Sequence, residues 1–130
     1  MATEMGFAAM TEKVIGAWNR QDVEAVAACY TEDCRYLDPN TRGHVEGRAA
    51  LRRYLTKLFA RWTMRWTVTE HHPFAESGEA RGGAFLWRAE LAPAGSPEPG
   101  KMVQGMDLVV LRGDQIQRNE VYFDRAALLM

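Results

Sequence analysis

The chain is expected to fold as one α+β domain spanning residues 1–130. Three observations lead there. Apolar residues recur at three- and four-residue steps through the first 60 positions, and at two-residue steps over most of the rest. Helical and extended patterns are therefore segregated along the chain, which separates α+β from alternating α/β architecture. A length of 130 residues with no repeat and no long linker fits a single hydrophobic core.

Helix one is expected from about Thr3 to Asn19, where Phe7, Met10, Val14, Ala17 and Trp18 form one apolar stripe. A second helix begins at Asp22, a residue type suited to N-capping, with Val23, Val26, Ala27 and Tyr30 on one face. Cys34 to Asp38 reads as a short extended segment ended by Pro39, and Asn40 to Gly47 as loop. Helix three runs from about Arg48 to Ala60, with Leu51, Tyr54, Leu55, Leu58 and Phe59 on its apolar face and a basic exposed face. Trp62, Met64, Trp66 and Val68 then alternate with polar residues, the mark of a half-buried strand. Glu70 to Phe74 is less regular, and Ser77-Gly78-Glu79 reads as a turn. Strands are expected at Arg81–Leu91, Lys101–Leu111 and Gln115–Asp124. The Pro- and Gly-rich loop 92–100 separates the first two, and a tight Arg112-Gly113-Asp114 hairpin the last two.

Composition narrows the function. The chain is 47% hydrophobic and 25% charged, an ordinary globular balance. Sixteen basic against 17 acidic residues leave no electrostatic footprint for nucleic acid. No apolar run approaches the roughly 18 residues of a membrane span, and Met1-Ala2-Thr3-Glu4 lacks a signal-peptide layout. A cytoplasmic protein with no nucleic-acid or membrane partner is the expectation. Cys29 and Cys34 read as small buried thiols, not a disulfide or a zinc site. Adjacent His71 and His72 point to opposite sides of an extended chain, His44 stands apart, and no HxH or HExxH motif occurs, so no metal is expected. Without GxGxxG or a Walker loop no nucleotide cofactor is expected either, and Ser77 and Ser96 lack a nucleophile elbow.

Asp107 is the most informative residue. It interrupts the apolar run Val103 to Leu111, and its face-mates Val103, Val109 and Leu111 point it inward. A buried carboxylate is expensive unless paired or protonated, so burial should raise its pKa. A bond to a neighbouring strand or to an Arg is the structural alternative. Asp38 shares a face with Tyr36 by alternation, and Asp before Pro is also a common turn starter. Two carboxyls in unlike surroundings can divide acid and base roles. Trp18, Tyr30, Tyr36, Tyr54, Trp66, Trp87, Tyr122 and Phe123 supply aromatics to wall a pocket around them.

The strand from Lys101 is apolar on its other face too, with Met102, Met106, Leu108 and Val110 beside Gln104. A sheet covered by helices on one side should be polar on the other. A homodimer through the outer face of the sheet is the expected cover.

The stretch Asp22 to Asp33 (acidic N-cap, apolar helix, then Tyr30-Thr31-Glu32-Asp33) resembles the second helix of the nuclear transport factor 2-like superfamily. Asp38-Pro39 and Gly47-Arg48-Ala49-Ala50-Leu51 continue the likeness. Gly105-Met106-Asp107-Leu108 through Tyr122-Phe123-Asp124-Arg125 is similar to the closing hairpin of SnoaL-like members. The resemblance covers about residues 7 to 128. It implies a cone: a curved, mostly antiparallel sheet wrapped by about three helices and enclosing a pocket. Within the superfamily the ketosteroid isomerase and polyketide cyclase branch is the nearest analogy. There Asp38 falls at a proton-shuttling Asp, Asp107 at a buried, protonated oxyanion Asp, and Tyr30 at a supporting Tyr. Val14 and Leu55 stand where that isomerase has its main oxyanion Tyr and a second supporting Tyr.

The function so implied is a cofactor-independent isomerase or cyclase. It would move a proton on a small, largely apolar carbonyl compound, with Asp38 and Asp107 catalytic. Val14, Trp18, Tyr30, Tyr36, Leu55, Trp66, Trp87 and Phe123 would form the substrate pocket. One alternative is a limonene-type epoxide hydrolase, for which Arg88-Ala89-Glu90 offers a partial match while its remaining Asp would fall near Val121. The others are a non-catalytic ligand binder and a dimeric scaffold.

Overall fold

A computed structural model describes residues 6–75, 78 and 80–129. The N-terminal residues expected to open helix one, and most of the expected Ser77-Gly78-Glu79 turn, lie outside these. The order of elements is α1 (Phe7–Asn19), α2 (Val23–Ala27), β1 (Tyr30–Leu37), β2 (Val45–Glu46), α3 (Arg48–Arg61), β3 (Trp62–Pro73), β4 (Arg81–Pro93), β5 (Lys101–Arg112), β6 (Gln115–Phe123) and a 3-10 turn at Arg125–Leu129. One six-stranded sheet runs β2-β1-β6-β5-β4-β3. Only the β1–β6 pairing is parallel.

The apolar stripe of α1 buries Met10, Val14, Ala17 and Trp18, and that of α3 buries Leu51, Leu55 and Leu58. Both pack on one face of the sheet against Phe85, Trp87, Ala89, Val109 and Val121. Gln21, in the left-handed region at φ 49°, reverses the chain after α1. Asp22 then caps α2 by accepting from the Ala25 N–H at 3.1 Å.

Two expectations are corrected. Helix two ends at Ala27, so Tyr30 lies in a strand and not on a helical face. Pairing with β6 overrides the helical pattern there. The Cys29 carbonyl accepts from the Ile116 N–H at 2.8 Å, and Tyr30 sits beside Ile116. The loop after Pro39 also contains the short strand β2, which pairs with Arg35 and Tyr36. The stretch from Glu70, expected to be less regular, continues β3 in register to Pro73, and the irregularity is a register shift just before it, between Val68 and Glu70. Cys29 and Cys34 are both free and buried. No helix among the described residues is long and apolar enough to cross a membrane.

The edge strand β3 shows how α1 is fastened to the sheet. Unpaired backbone groups at a sheet edge invite association. Here Asn19 accepts from the Trp66 N–H (2.7 Å) and donates to the Trp66 carbonyl (3.0 Å). Gln21 does the same for the Met64 N–H (2.9 Å) and the Trp62 carbonyl (2.8 Å). Two amide side chains thus stand in for a missing neighbouring strand. Asn19→Ala is expected to lower stability by about 1–2 kcal/mol, the worth of two such bonds. Urea unfolding checks this, and an unchanged midpoint would show that the clamp carries no load.

Candidate active site

The inward face of β5 places Asp107 beneath the helices, opposite Phe85 on β4 and Val121 on β6. The residue is 9% exposed. Oδ1 accepts from the Trp87 indole N–H at 2.7 Å, and Oδ2 from the Asn119 amide at 3.0 Å. The Tyr30 hydroxyl donates to the Asn119 oxygen at 2.7 Å, fixing that amide's orientation. Gly105 makes room for this arrangement. A Cβ there would stand 2.6 Å from the Trp87 ring, so any larger residue would push aside the indole that holds Asp107. Burial pushes the Asp107 carboxyl up to about 7; the Asn119 and Trp87 bonds oppose the rise and the Asp38 charge adds to it.

Asp38 is also buried, at 7% exposure, but differently occupied. Oδ1 accepts from the backbone N–H groups of Asn40 (2.7 Å) and Thr41 (3.2 Å), the turn-starting role its place before Pro39 suggests. Oδ2 accepts from the hydroxyls of Tyr36 (2.8 Å) and Tyr54 (2.5 Å). A carboxylate offers about four acceptor positions, so every one is filled. Asp107 accepts two bonds and keeps capacity on each oxygen. Burial, followed by the nearby Asp38 charge, raises both tyrosines above the ordinary phenol value, Tyr36 strongly. Both are therefore neutral donors across the physiological range.

Two small cavities lie against these groups. One, of about 20 Å³, is bordered by Ile15, Trp18, Tyr36, Trp66, Asp107 and Val121. The other, of about 30 Å³, is bordered by Asp38 and Asn40 together with Phe123, Leu128 and other apolar residues. Trp18, Tyr36, Trp66 and Val121 border both and form the partition. Each cavity has room for about one water molecule. Little free volume is thus left between the aromatic side chains.

Of the residues expected to line the pocket, Trp18, Tyr36, Trp66 and Phe123 border a cavity. Val14 and Leu55 are packed in the core, and Tyr30 and Trp87 act one step back, through Asn119 and on Asp107 directly. Asn119 and the Tyr54 hydroxyl are the partners that sequence reasoning passed over. Asn119 had a signal: it alternates with Val121 and Phe123, making it the polar member of an inward-facing row. Arg88 and Glu90 lie on the exposed face of β4, and Val121 borders both cavities. The Asp-Arg-Asp arrangement of a limonene-type hydrolase is not assembled. Among the described residues, no group of three or more His, Cys, Asp or Glu is placed to hold a metal ion.

Residues 11–119 match the SnoaL-like domain family, and the chain belongs to it. A search of the curated proteins finds no match. Solved structures share the fold at low identity. A hypothetical protein of ketosteroid isomerase-like fold from Catenulispora acidiphila, in complex with trimethylamine, is 18% identical with a TM-score of 0.77, over 92% of this chain and 88% of that one. SalBIII, an epoxide hydrolase/cyclase-like enzyme in pyran ring formation in the polyether salinomycin, is 21% identical with a TM-score of 0.72, over 91% and 90%. ActVI-ORFA from Streptomyces coelicolor is 15% identical with a TM-score of 0.68, over 90% and 93%.

The raised carboxyl has a stability signature. Between the ordinary 3.8 and about 7 the unfolded chain releases the Asp107 proton while the folded chain keeps it. Folding then binds protons, so this group's contribution falls as pH rises through that window and levels off above about 7. A rise from 3.8 to about 7 corresponds to about 4 kcal/mol at most. Asp107→Asn should lack this component, so its stability relative to the parent should rise from pH 4 to pH 7 and then hold constant. Urea unfolding across pH tests it, and parallel curves would show an ordinary carboxyl.

Proposed function

We propose that the chain is a cofactor-independent isomerase or cyclase that moves a proton on a small, largely apolar carbonyl compound. Asp107 takes and returns the proton. The observation that carries this reading is the contrast between the two carboxyls: Asp107 borders a cavity, titrates near neutrality and has acceptor capacity left, whereas every acceptor position of Asp38 is filled. A general base is most effective when its pKa lies near the working pH. In its ionised form Asp107 removes a proton α to the carbonyl. The C–H electron pair becomes that of an enolate, and the carboxylic acid so formed gives the proton back at another atom. This assigns Asp38 a different part from the shuttling base that the family resemblance implies. It holds Tyr36 and Tyr54 in place, and its charge helps set the pKa of Asp107.

Aromatic walls favour a flat, apolar substrate body. Each cavity holds about one water molecule, so a substrate of that size needs the side chains between them to shift. The outer wall includes Leu128 in the C-terminal turn, which is tied across by Lys101 to the Leu128 carbonyl (2.8 Å) and by Arg125 to the Pro39 carbonyl (3.3 Å). Correct base positioning contributes about 10²–10⁴-fold, enough for a carbon acid that its own structure already activates.

The test is exchange of the α-protons of 2-indanone into deuterated solvent, followed by NMR above the uncatalysed rate. The rate should rise with pH through about 7 and then level off. Asp107→Asn should abolish it, because an amide cannot accept the proton. Asp38→Asn should retain it with the pH midpoint moved downward, because a neighbouring negative charge has been removed. Loss of exchange in Asp38→Asn with survival in Asp107→Asn would return the base role to Asp38.

We further propose that the outer face of the sheet is the interface of a homodimer. Met102 (59% exposed), Met106 (38%) and Tyr122 (48%) stand there beside Leu86 and Leu108. Sedimentation equilibrium should give twice the chain mass for the parent protein and the chain mass for Met106→Glu. A monomeric parent would refute the interface.

A further inference from the structure

Among the described residues, one buried side-chain polar atom has no hydrogen-bond partner: the indole nitrogen of Trp66. Buried donors are nearly always satisfied, so an orphan in an ordered site calls for a physical reason. Its setting is specific. The Trp66 side chain borders both cavities, including the one that Asp107 borders. The indole meets Trp87 edge-to-face at 4.5 Å between ring centroids and Trp18 at 6.0 Å. Trp87 is the residue whose own indole N–H is spent on Asp107. The Trp66 backbone is gripped on both its N–H and its carbonyl by Asn19. The indole is therefore packed against two other indoles on a strand fastened by Asn19, and its one polar group is unpaired on a residue that borders the same cavity as Asp107.

We propose that the Trp66 indole N–H is the donor that binds the carbonyl oxygen of the ligand, and so selects oxygen-bearing ligands over hydrocarbons of the same shape. The proposal rests on the acid–base reading of the Asp107 site and deepens it by naming the group opposite the proton acceptor. A single N–H only donates, so it favours a ligand that offers an acceptor atom and disfavours a hydrocarbon or a donor-only group such as an ammonium. The donor is an indole on β3, on a residue that borders the same cavity as Asp107. Tyr36 and Tyr54 are engaged with Asp38 and leave this role open.

The experiment compares 2-indanone with indane, which differ only in the carbonyl oxygen, in the intact protein and in Trp66→Phe and Asp107→Leu. Binding is followed by NMR on protein labelled with ¹⁵N in its four tryptophans, the Trp66 indole signal being assigned by its loss in Trp66→Phe. In the parent protein, saturation with 2-indanone should move that signal downfield, while indane should not. Trp66→Phe should weaken 2-indanone about tenfold, the worth of one hydrogen bond, and leave indane within about twofold. The downfield shift is read on the unsubstituted protein, so it stands even if the substitution disturbs folding. If 2-indanone binds and exchanges protons in an Asp107-dependent way, yet the indole signal stays put and the 2-indanone-to-indane ratio survives in Trp66→Phe, the donor assignment is wrong and the proton-transfer reading stands. If 2-indanone neither binds nor exchanges in the parent protein, both fall together.

Discussion

The arrangement depends on one costly placement, a carboxyl group on the inward face of the central sheet. Asp107 sits among Phe85, Trp87 and Val121, where an anion has little solvation. Among the described residues two neutral donors reach it, Trp87 and Asn119, and no cation does. An arginine in the same place would have fixed the charge and made the group a structural ion pair. Neutral donors compensate only part of the burial penalty, so the carboxyl is left near the point where it can exist in either form. Much else follows from holding it there. Gly105 lacks a side chain so that the Trp87 ring can lie across it. Tyr30, at the start of β1, orients Asn119 from the neighbouring strand.

Asp38 shows how the same functional group acquires different behaviour from its surroundings. It lies at the end of a strand, where backbone N–H groups of the following turn are at hand, and two tyrosines complete its shell. In the proposed mechanism the filled shell makes it an anchor. Tyr36 spans the two carboxyl environments, since it bonds Asp38 and borders the cavity beside Asp107. The SnoaL-like fold hosts varied chemistry on similar backbones, and such local differences in who donates to which oxygen are where that variety can arise.

Much of this was legible in the sequence. The period of two around Asp107 in an apolar run determined both its direction and its environment, because side-chain alternation in a strand is geometric. The alternation of Tyr36 with Asp38 likewise brought those groups to one face. Tyr30 was misread because its spacing from Val26 suits a helix as well as its neighbours suit a strand. The choice was made by pairing with Ile116, 86 positions away, which no local pattern encodes. Tyr54 fitted the apolar stripe of α3, and only the packing of that helix on β1 brings its hydroxyl to Asp38. Asn19 stood at the expected end of helix one, and Gln21 carried no signal of its own. Their work on the edge of β3 depends on where α1 docks. The small volume of the cavities was beyond reach for the same reason, since cavity volume is a property of how side chains meet.

The most direct test of the account is the ionisation of Asp107 itself. Carboxyl ¹³C NMR of aspartate-labelled protein, with the signal assigned by its absence in Asp107→Asn, reports that group without any ligand or assay. The account predicts a titration midpoint near 7, with a single buried carboxyl changing form across the neutral range. A midpoint in the ordinary range near 4 would mean that Asp107 is a fully ionised structural acceptor. The division of roles between the two aspartates would then be wrong.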